Sequence, residues 1–446
     1  MKQGTLLACG AIATLAITCL AVVSPVIGVA LLSVLVFVVW AIRKPHAAAC
    51  TMAFLTAAFP KAGVKVADFP FPVFLLGLIL AVLLMGVGQR KHQHSAPVTV
   101  VVGLYLLLVA SRTLVFFTEN LATAAAFAAW AAGPIVLLYI ATRRTRADLS
   151  FRRAIERGFI LAVAFGIVQL VGGIEATAIP GLTHALGDDI TLKNNVINTG
   201  VGDEYSKIPS TYQNGNIFGL VAATFFAMAL ARLAARNASR NDYVLLVASV
   251  VAIALSGSRT AIIAAAFAFV VVLLRGGNVG KKIAALAMIV LIGVIVLQVQ
   301  PGLAQRYSIA DLTATGGAGR SDMWRSYSAL MSPSDYIFGL PDFLIVEGWL
   351  GILMQIGVVG VGLLIAAVLL LSRGRRDLLL PLGVLLIGAV VDSSYRLFPT
   401  WFLLAAMAAA YPFPEKFTVS KQPLLSSKFP PFANNQMQTH FLKNIS

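Results

Sequence analysis

The chain has 446 residues, of which 59% are hydrophobic and 12% are charged, and its mean hydropathy is +0.87. Soluble domains contain about 45–50% apolar and about 25% charged residues, so this composition excludes an ordinary water-soluble fold. The formal net charge of +16 would suit a nucleic-acid partner. However, most of the lysines and arginines lie in short segments between apolar runs, and no nucleic-acid motif accompanies them. We therefore expect an all-α polytopic membrane protein that binds no nucleic acid.

Apolar runs of about 15–25 residues recur along the chain, and each is roughly long enough to cross a ~30 Å hydrocarbon layer. The predicted spans are 5–23, 26–42, 46–60, 71–88, 98–116, 120–141, 154–173, 215–232, 242–256, 259–274, 282–299, 347–371, 378–391 and 398–413. The third span is short enough to be re-entrant. We expect about fourteen spans, or about twelve if the first crossings are miscounted. Residues 1–413 would form one transmembrane domain, and the polar segment 414–446 a disordered cytoplasmic tail.

The basic residues orient these spans. Loops rich in lysine and arginine follow every second span, and the positive-inside rule places such loops in the cytoplasm. Both termini are then cytoplasmic, and the long loops 173–215 and 300–346 lie outside. Within the second loop, Met323, Trp324 and Tyr327 follow helical spacing. This pattern predicts an amphipathic helix over residues 320–331 that lies on the membrane surface or covers a cavity.

Basic residues also occur on the outer side, where the positive-inside rule does not predict them, and together they suggest an anionic ligand. They are Arg112, Lys193, Lys207, Arg259, Arg306, Arg320, Arg325 and Arg396. Arginine suits this task because its guanidinium binds phosphate oxygens in a bidentate manner. For Arg320 and Arg325 the alternative is that they solvate the exposed side of the loop helix. For Arg112 and Arg396 the alternative is a side chain that reaches to the interface.

The turn Ser256-Gly257-Ser258-Arg259 is the strongest candidate for an anion site. Its glycine permits a tight turn between two spans, and the helix that follows presents its first amide groups to the outer side. Arg259 at the start of that helix would add a guanidinium. The alternative is a plain hairpin in which Arg259 merely reaches the interface.

Two carboxylates stand at outer ends of predicted spans. Glu347 lies where the long outer loop meets a span, and Asp392 lies close in sequence to Arg396. Either could serve as a general base, a role that contributes about 10²–10⁴-fold in rate. The alternative is helix capping or charge pairing. No metal-ligand spacing and no nucleotide-binding loop is present, so we expect neither a metal nor a cofactor.

Five short motifs, in correct order, resemble the O-antigen ligase and Wzy-type polysaccharide polymerase superfamily over about residues 205–370. They are Asn214-Gly215-Asn216-Ile217-Phe218-Gly219, Ser256-Gly257-Ser258-Arg259, Gly319-Arg320-Ser321-Asp322-Met323-Trp324, Ile337-Phe338-Gly339-Leu340, and Trp349-Leu350 with Ile356-Gly357-Val358-Val359-Gly360. The ligases carry a His-Asn pair before the last motif. Aligned on Gly357, that histidine falls on Val346, and Glu347 takes the next place. The missing histidine favours the polymerase.

The resemblance implies a glycosyltransferase-C-like bundle of about 12–14 transmembrane helices with a large periplasmic loop, in the bacterial inner membrane. The activity it implies is polymerisation of undecaprenyl-pyrophosphate-linked oligosaccharide repeat units, of O-antigen or a related polysaccharide, at the periplasmic face. Arg259, Arg320, Arg325 and Ser258 would bind the pyrophosphate, with Arg259 and Arg320 also catalytic, and Glu347 would orient or deprotonate the acceptor hydroxyl. Asp392, Arg396 and Arg112 are secondary candidates.

The partners implied are the lipid-linked oligosaccharides, membrane lipids, and flippase and chain-length regulator proteins. Two alternatives remain open. One is a ligase that transfers finished polysaccharide to lipid A core, which Val346 disfavours. The other is a small-anion transporter, which would concentrate its polar groups on broken helices near the membrane midplane. In this sequence the charges gather at span ends and in loops, which favours the enzyme.

Overall fold

The computed structural model describes residues 25–66, 69–86, 95–118, 121–142, 149–187, 196–198, 204–234, 239–274, 320–342, 346, 348–373 and 379–392, with scattered positions between 280 and 298 and residue 403. Most of these described residues are helical. The helices of the first half are α1 (Pro25–Arg43), α2 (Pro45–Ala58), α3 (Val73–Gly86), α4 (Ala96–Phe117), α5 (Leu121–Ala131), α6 (Gly133–Thr142) and α7 (Leu149–Gly172). Those of the second half are α8 (Gly215–Ala234), α9 (Arg240–Ser256), α10 (Arg259–Leu274), α11 (Arg320–Ser328), α12 (Pro333–Phe338), α13 (Trp349–Ser372) and α14 (Leu379–Val391).

Within the described ranges, five helical segments are long and apolar enough to cross a membrane. They are Ala96–Phe117, Thr123–Ile140, Ser150–Gly172, Gly215–Leu233 and Trp349–Ser372. Shorter apolar helices accompany them, and the expectation of an all-α membrane protein is confirmed at this level. The total of 12–14 spans and the glycosyltransferase-C-like arrangement stay predictions. The predicted spans 5–23 and 398–413, most of 282–299 and the tail 414–446 lie outside the residues that can be described.

Helix α8 occupies the centre of the bundle. In the most apolar stretch of α8, 83% of the residues are buried, whereas in the corresponding stretch of α4 only 22% are buried. Helices α9, α10 and α14 pack against α8, and the rings of Phe159 in α7 and Phe225 in α8 stack with centroids 4.1 Å apart. A helix that is apolar on every face is stable only where other helices or lipid surround it. The start of α8 therefore lies against neighbouring helices, with Gly215 buried and Asn216 half-buried.

Two predicted spans contain breaks. The span 120–141 divides into α5 and α6, where Pro134 lacks the amide hydrogen that a continuous helix would use. Helix α13 is broken at Gly357, whose φ is +63°. Its two pieces, residues 349–356 and 358–372, would rise roughly 12 Å and 22 Å at about 1.5 Å per residue. Neither piece alone matches a ~30 Å hydrocarbon layer.

Two β-hairpins that the sequence did not predict lie in loop segments. Strands β1 (Gly63–Val66) and β2 (Phe69–Pro72) form one antiparallel pair, and β3 (Val196–Asn198) and β4 (Glu204–Ser206) form the other. Strand β1 also contacts the segment after α7, because the Gly63 amide donates to the Gly181 carbonyl at 3.0 Å and Leu186 donates back to Gly63 at 2.8 Å. Both segments were predicted on the outer side, so their pairing agrees with the threading of the helices between them.

Ion pairs between two buried carboxylates and two half-buried arginines join the start of α7, the end of α8 and the start of α9. The contacts are Arg152 Nε–Glu156 Oε1 at 2.9 Å, Arg152 Nη2–Asp242 Oδ1 at 3.0 Å, Arg232 Nη1–Glu156 Oε1 at 2.8 Å and Arg232 Nε–Asp242 Oδ1 at 2.9 Å. Each carboxylate meets two guanidinium groups, which offsets the desolvation of buried charge. All of these residues were predicted at the inner ends of their helices. These residues therefore lie together, as expected for one end of the bundle, while which end faces the cytoplasm stays a prediction.

The helix predicted over residues 320–331 is present as α11, which ends at Ser328. Its apolar side packs in a hydrophobic cluster that is separate from the main core. The buried members of that cluster are Met331, Val346, Leu350 and Met354, with Met323, Trp324, Tyr327, Tyr336, Leu340 and Leu353 packed against them. We name residues 320–342, 346 and 348–355 the cap, which includes α11 and α12. The Tyr336 hydroxyl donates to the Ser328 carbonyl at 3.0 Å and holds α12 to α11.

Candidate functional site

Three polar side chains meet at the start of α8, two of them from neighbouring positions of the chain and the third from near its C-terminal end. The Lys207 ammonium donates to Oδ1 of Asn216 at 2.9 Å. The Asn216 amide nitrogen in turn donates to Oδ2 of Asp392 at 2.8 Å. Lys207 is 8% exposed and Asp392 is 4% exposed. We name Lys207, Asn216 and Asp392 the polar triad.

A buried lysine and a buried aspartate are expensive in an apolar bundle. Charged groups pay a desolvation penalty that hydrogen bonds and opposite charge only partly offset. In membrane proteins such residues are rare and usually mark a binding or catalytic region. The polar triad is therefore the described feature that most strongly suggests a functional site.

The segment between β4 and α8 places Lys207 in the triad. Residues 210–212 form a 3-10 turn, in which the Tyr212 hydroxyl donates to the Ala57 carbonyl at 2.9 Å and Thr211 Oγ1 donates to the Ala58 carbonyl at 2.5 Å. Burial raises the pKa of the Tyr212 phenol far above its usual range, so this donor stays protonated. The Ile208 amide donates to Leu255 O at 3.1 Å and fixes Lys207 beside the end of α9.

The turn Ser256-Gly257-Ser258-Arg259 lies directly against this segment. Gly257 has φ of +57°, as the predicted tight turn requires, and it ends α9. Ser258 is 1% exposed, and its Oγ accepts from the Ala261 amide at 3.3 Å, so it caps α10. Arg259 is the first residue of α10 and is partly buried. The tight turn and the helix start predicted here are present, whereas the outward position of the turn and pyrophosphate binding by Ser258 and Arg259 stay predictions.

Two glycines of α8 allow the close approach of this turn. A Cβ on Gly219 would lie 2.5 Å from Ser256 Oγ and 2.8 Å from the Ala261 Cβ. A Cβ on Gly215 would lie 2.7 Å from the Ser256 carbonyl oxygen. Glycines four residues apart on a membrane helix form a shallow face that lets another backbone pack closely. The sequence Gly215-Asn216-Ile217-Phe218-Gly219 therefore brings the α9–α10 turn to the polar triad.

The cap contacts the bundle next to Asp392. A Cβ on Gly348, whose φ is +73°, would lie 2.6 Å from the Val390 carbonyl oxygen and 2.9 Å from Trp324 Cζ2. The rings of Trp324 and Trp349 meet edge to face with centroids 6.1 Å apart. Gly348 thus allows close packing between α11 and the end of α14. Since Asp392 follows α14 directly, the cap lies beside the triad.

Four of the predicted site residues are exposed or have side chains that the structure does not describe. Arg320 begins α11, but its side chain lies outside what can be described, and Arg325 is exposed on the same helix. Glu347 and Arg396 are outside the described residues, although Val346 and Gly348 on either side of Glu347 belong to the cap. The roles proposed for these four residues stay predictions.

Arg112 reaches backbone groups of the cap. Its Nε donates to the Gln355 carbonyl oxygen at 3.1 Å, and its Nη2 donates to the carbonyl oxygen of Leu340. Its guanidinium also lies over the Phe116 ring, 4.9 Å from the centroid. The alternative of a side chain that merely reaches to the interface does not describe these contacts. A direct role of Arg112 with substrate stays a prediction.

From the sequence, Lys207 was predicted only as one of the outer cations, and Asn216 was not predicted as a site residue. A signal was present for each. Asn216 is a polar residue at the second position of an otherwise apolar span, and Lys207 was noted as an outer cation. What was missing was their proximity to Asp392, which lies 176 positions after Asn216.

Comparison of the chain with protein-family models, with curated proteins and with solved structures found no match in any of the three.

Proposed function

We propose that this chain is a membrane glycosyltransferase that polymerises lipid-linked oligosaccharide repeat units. In the proposed reaction, a hydroxyl of the acceptor sugar attacks the anomeric carbon of the donor chain. The new glycosidic bond forms as the bond to the lipid pyrophosphate breaks, and the acceptor proton passes to a base. Arg259, with Arg320 and Arg325 of the cap, would neutralise the charge on the departing pyrophosphate, a contribution that is usually large.

The observation that supports this proposal is the packing of the family-like motifs against one another. The motif at the start of α8 touches the Ser256–Arg259 turn through Gly215 and Gly219. The α12 motif, which ends in Gly339 and Leu340, meets the α13 motif at Gly357. A chance set of weak sequence motifs has no reason to pack in this way. The first of these contacts lies beside the polar triad, because a Cβ on Gly215 would also lie 2.7 Å from the Lys207 Cβ.

Two carboxylates compete for the role of base in this proposal. Glu347 is the residue favoured by the sequence motif. Asp392 is favoured by its buried position and by its hydrogen bond from Asn216. General base catalysis requires the carboxylate to approach the acceptor hydroxyl within about 2.6–3.2 Å. Parallel Glu347→Gln and Asp392→Asn variants decide between them, since only the true base loses about 10²–10⁴-fold in turnover.

The test of the function is the polysaccharide profile of a strain that lacks the chain. Loss of the polymerase leaves lipid A core with a single repeat unit, whereas loss of a ligase leaves lipid A core without any repeat. An unchanged ladder contradicts both activities. Turnover of purified protein on lipid-linked repeats is expected to survive EDTA, because arginines are proposed to neutralise the pyrophosphate. Ion flux in vesicles without any chain extension would instead favour an anion transporter.

A further inference from the structure

The cap and the bundle have separate hydrophobic clusters, although α13 runs through both. Leu350 and Met354 belong to the cap cluster, whereas Ala367 and Leu371 of the same helix belong to the main core. The change from one cluster to the other occurs just before the break at Gly357, because Ile356 already belongs to the main core. The cap is therefore a small packed unit whose position depends on the contacts at this break.

The break leaves backbone carbonyls that need donors from elsewhere. In a continuous helix the carbonyls of Met354 and Gln355 would accept from amides four residues later, and a non-helical residue at 357 interrupts that pattern. The Met354 carbonyl accepts from the Leu340 amide at 2.6 Å. The Gln355 carbonyl accepts from Arg112 Nε at 3.1 Å. One of these donors lies in the cap, and the other lies in α4 of the bundle.

Close packing of α12 on α13 makes the joint specific. A Cβ on Gly339, whose φ is +88°, would lie 2.8 Å from the Gln355 carbonyl oxygen, and a Cβ on Gly357 would clash with the Ile337 carbonyl. The end of α12 thus sits in the break of α13. Because Arg112 donates to both Gln355 and Leu340, its guanidinium joins the two sides of this packed joint.

The orientation of Arg112 is fixed from the bundle side. Its guanidinium lies over the Phe116 ring, and Phe116 is fully buried. The Phe127 ring in α5 meets Phe116 edge to face with centroids 4.8 Å apart. A planar guanidinium stacked on a ring keeps its fork of donors in one direction, which a lysine ammonium does not reproduce.

We infer that Arg112 is a positioning residue, which holds the cap on the bundle by donating to the backbone carbonyls of Leu340 and Gln355. It acts through the backbone and does not itself touch the reacting groups. Its effect on turnover rests on the proposed function, because the cap carries Arg320 and Arg325, which are assigned to the pyrophosphate. Its effect on the position of the cap does not depend on any activity, and the two can be measured apart.

The position of the cap is measured with spin labels in the full-length protein. One label is placed at Leu330 of the cap, which is 73% exposed, and the other at Leu121 of α5, which is 69% exposed. A matched pair within the bundle, Leu121 and Val171, controls for general loosening. Arg112→Met is expected to broaden the cap–bundle distance distribution and leave the control pair unchanged. Arg153→Met controls for the loss of an arginine charge. Arg153 lies at the start of α7, away from the label at Val171, and its replacement is expected to change the distance distribution of neither pair.

Kinetics of chain extension then separate positioning from direct binding. Displacement of catalytic groups by about 1 Å can reduce turnover by about 10²-fold. Arg112→Met is therefore expected to lower kcat by about 10–100-fold with a smaller change in KM. Arg112→Lys, which keeps a cation over Phe116 but loses the fork, is expected to fall between wild type and Arg112→Met in both cap distance and kcat. If Arg112→Met does not fold, Arg112→Lys alone provides the test of both cap distance and kcat.

The following outcomes decide the inference. Unchanged cap distances in Arg112→Lys or Arg112→Met overturn it. A raised KM with unchanged distances also overturns it and assigns Arg112 to substrate. Equal broadening of the control pair overturns it as well, because the role is then general stability. A selectively mobile cap supports it even if the wild-type protein extends no chain, in which case the proposed function alone fails.

Discussion

The Asn216 side chain donates to Asp392 across a distance of 2.8 Å and 176 positions of sequence. The two residues bring the start of the central helix α8 to the end of α14. Lys207 donates to the same amide from the other side, so one neutral side chain connects a buried cation with a buried anion.

Asn216→Leu removes the link while keeping the side-chain size roughly constant. Leaving a buried polar group unsatisfied costs about 1–3 kcal/mol, so the free energy of unfolding should fall by that amount. Unfolding by sodium dodecyl sulfate in mixed micelles provides the measurement. In the double variant with Asp392→Leu, the two effects should differ from additivity by about 0.5–3 kcal/mol. Strict additivity would mean that the hydrogen bond contributes nothing.

Arg259 tests the proposed pyrophosphate site. Arg259→Lys retains the charge but loses the bidentate fork, so turnover on lipid-linked repeats should fall sharply while the amount of folded protein stays normal. Arg259→Ala should lose at least as much turnover.

Glu347→Gln tests the proposed base. The variant should lose about 10²–10⁴-fold in turnover if Glu347 is the base, whereas loss of a capping glutamate would cost about 1 kcal/mol of stability and little turnover. Near-normal extension by both Arg259→Lys and Glu347→Gln would move the site to Asp392 and Arg396.

The orientation of the bundle is tested by thiol labelling. In a chain whose natural cysteines (Cys9, Cys19 and Cys50) are replaced by alanine, single cysteines are placed at Leu330 of the cap and Arg153 of α7, both exposed. A membrane-impermeant reagent should label position 330 in intact cells, and position 153 only after the membrane is opened. The reverse pattern would place the cap in the cytoplasm and contradict a periplasmic site.

Gly219→Ala tests the close approach of the α9–α10 turn to α8. The new Cβ would lie 2.5 Å from Ser256 Oγ, so the helices must separate, at a typical cost of about 1–3 kcal/mol. Gly103→Ala in α4 is the matched control, because no heavy atom lies within 4 Å of a Cβ there. Alanine at such an exposed helical position should be neutral or stabilise by about 0.5–1 kcal/mol. Equal effects of the two changes on unfolding would contradict the close packing.

Asp335 gives the cap a dependence on pH. Hydrogen bonds from the Ser332 side chain and backbone, with the Arg112 charge as a smaller cause, hold the pKa of Asp335 below its ordinary value of 3.8. A carboxyl whose folded pKa is lowered stabilises the fold at pH above its unfolded pKa, and this stabilisation is lost as the pH falls through the folded value. Hydrogen exchange of α12 amides, corrected for intrinsic rates, should therefore stay constant from pH 7 to 5 and accelerate below about pH 4.

Asp335→Asn is the control for this effect. Its side chain cannot titrate, so the corrected exchange rate of α12 should not change over the same range of pH. Acceleration of equal size in the variant would assign the acid sensitivity to another group.

The sequence by itself determined the class of protein and the positions of most helices. Apolar runs of membrane length and the distribution of basic loops are local properties, which each segment carries in its own residues. The turn Ser256-Gly257-Ser258-Arg259 was likewise predicted, and so was a helix over residues 320–331, of which 320–328 are helical. A glycine that permits a tight turn and an amphipathic spacing are also local signals.

Only the tertiary structure decided which charges meet. The polar triad joins residues 207, 216 and 392, and the break at Gly357 is completed by Arg112, which lies 243 positions before Gln355. Helical periodicity fixes the direction of a side chain relative to its own axis, but it does not fix which helix becomes its neighbour. That choice follows from the close approach at glycines such as Gly219 and Gly339, where the absence of a Cβ lets backbone and side-chain atoms of distant segments come into contact.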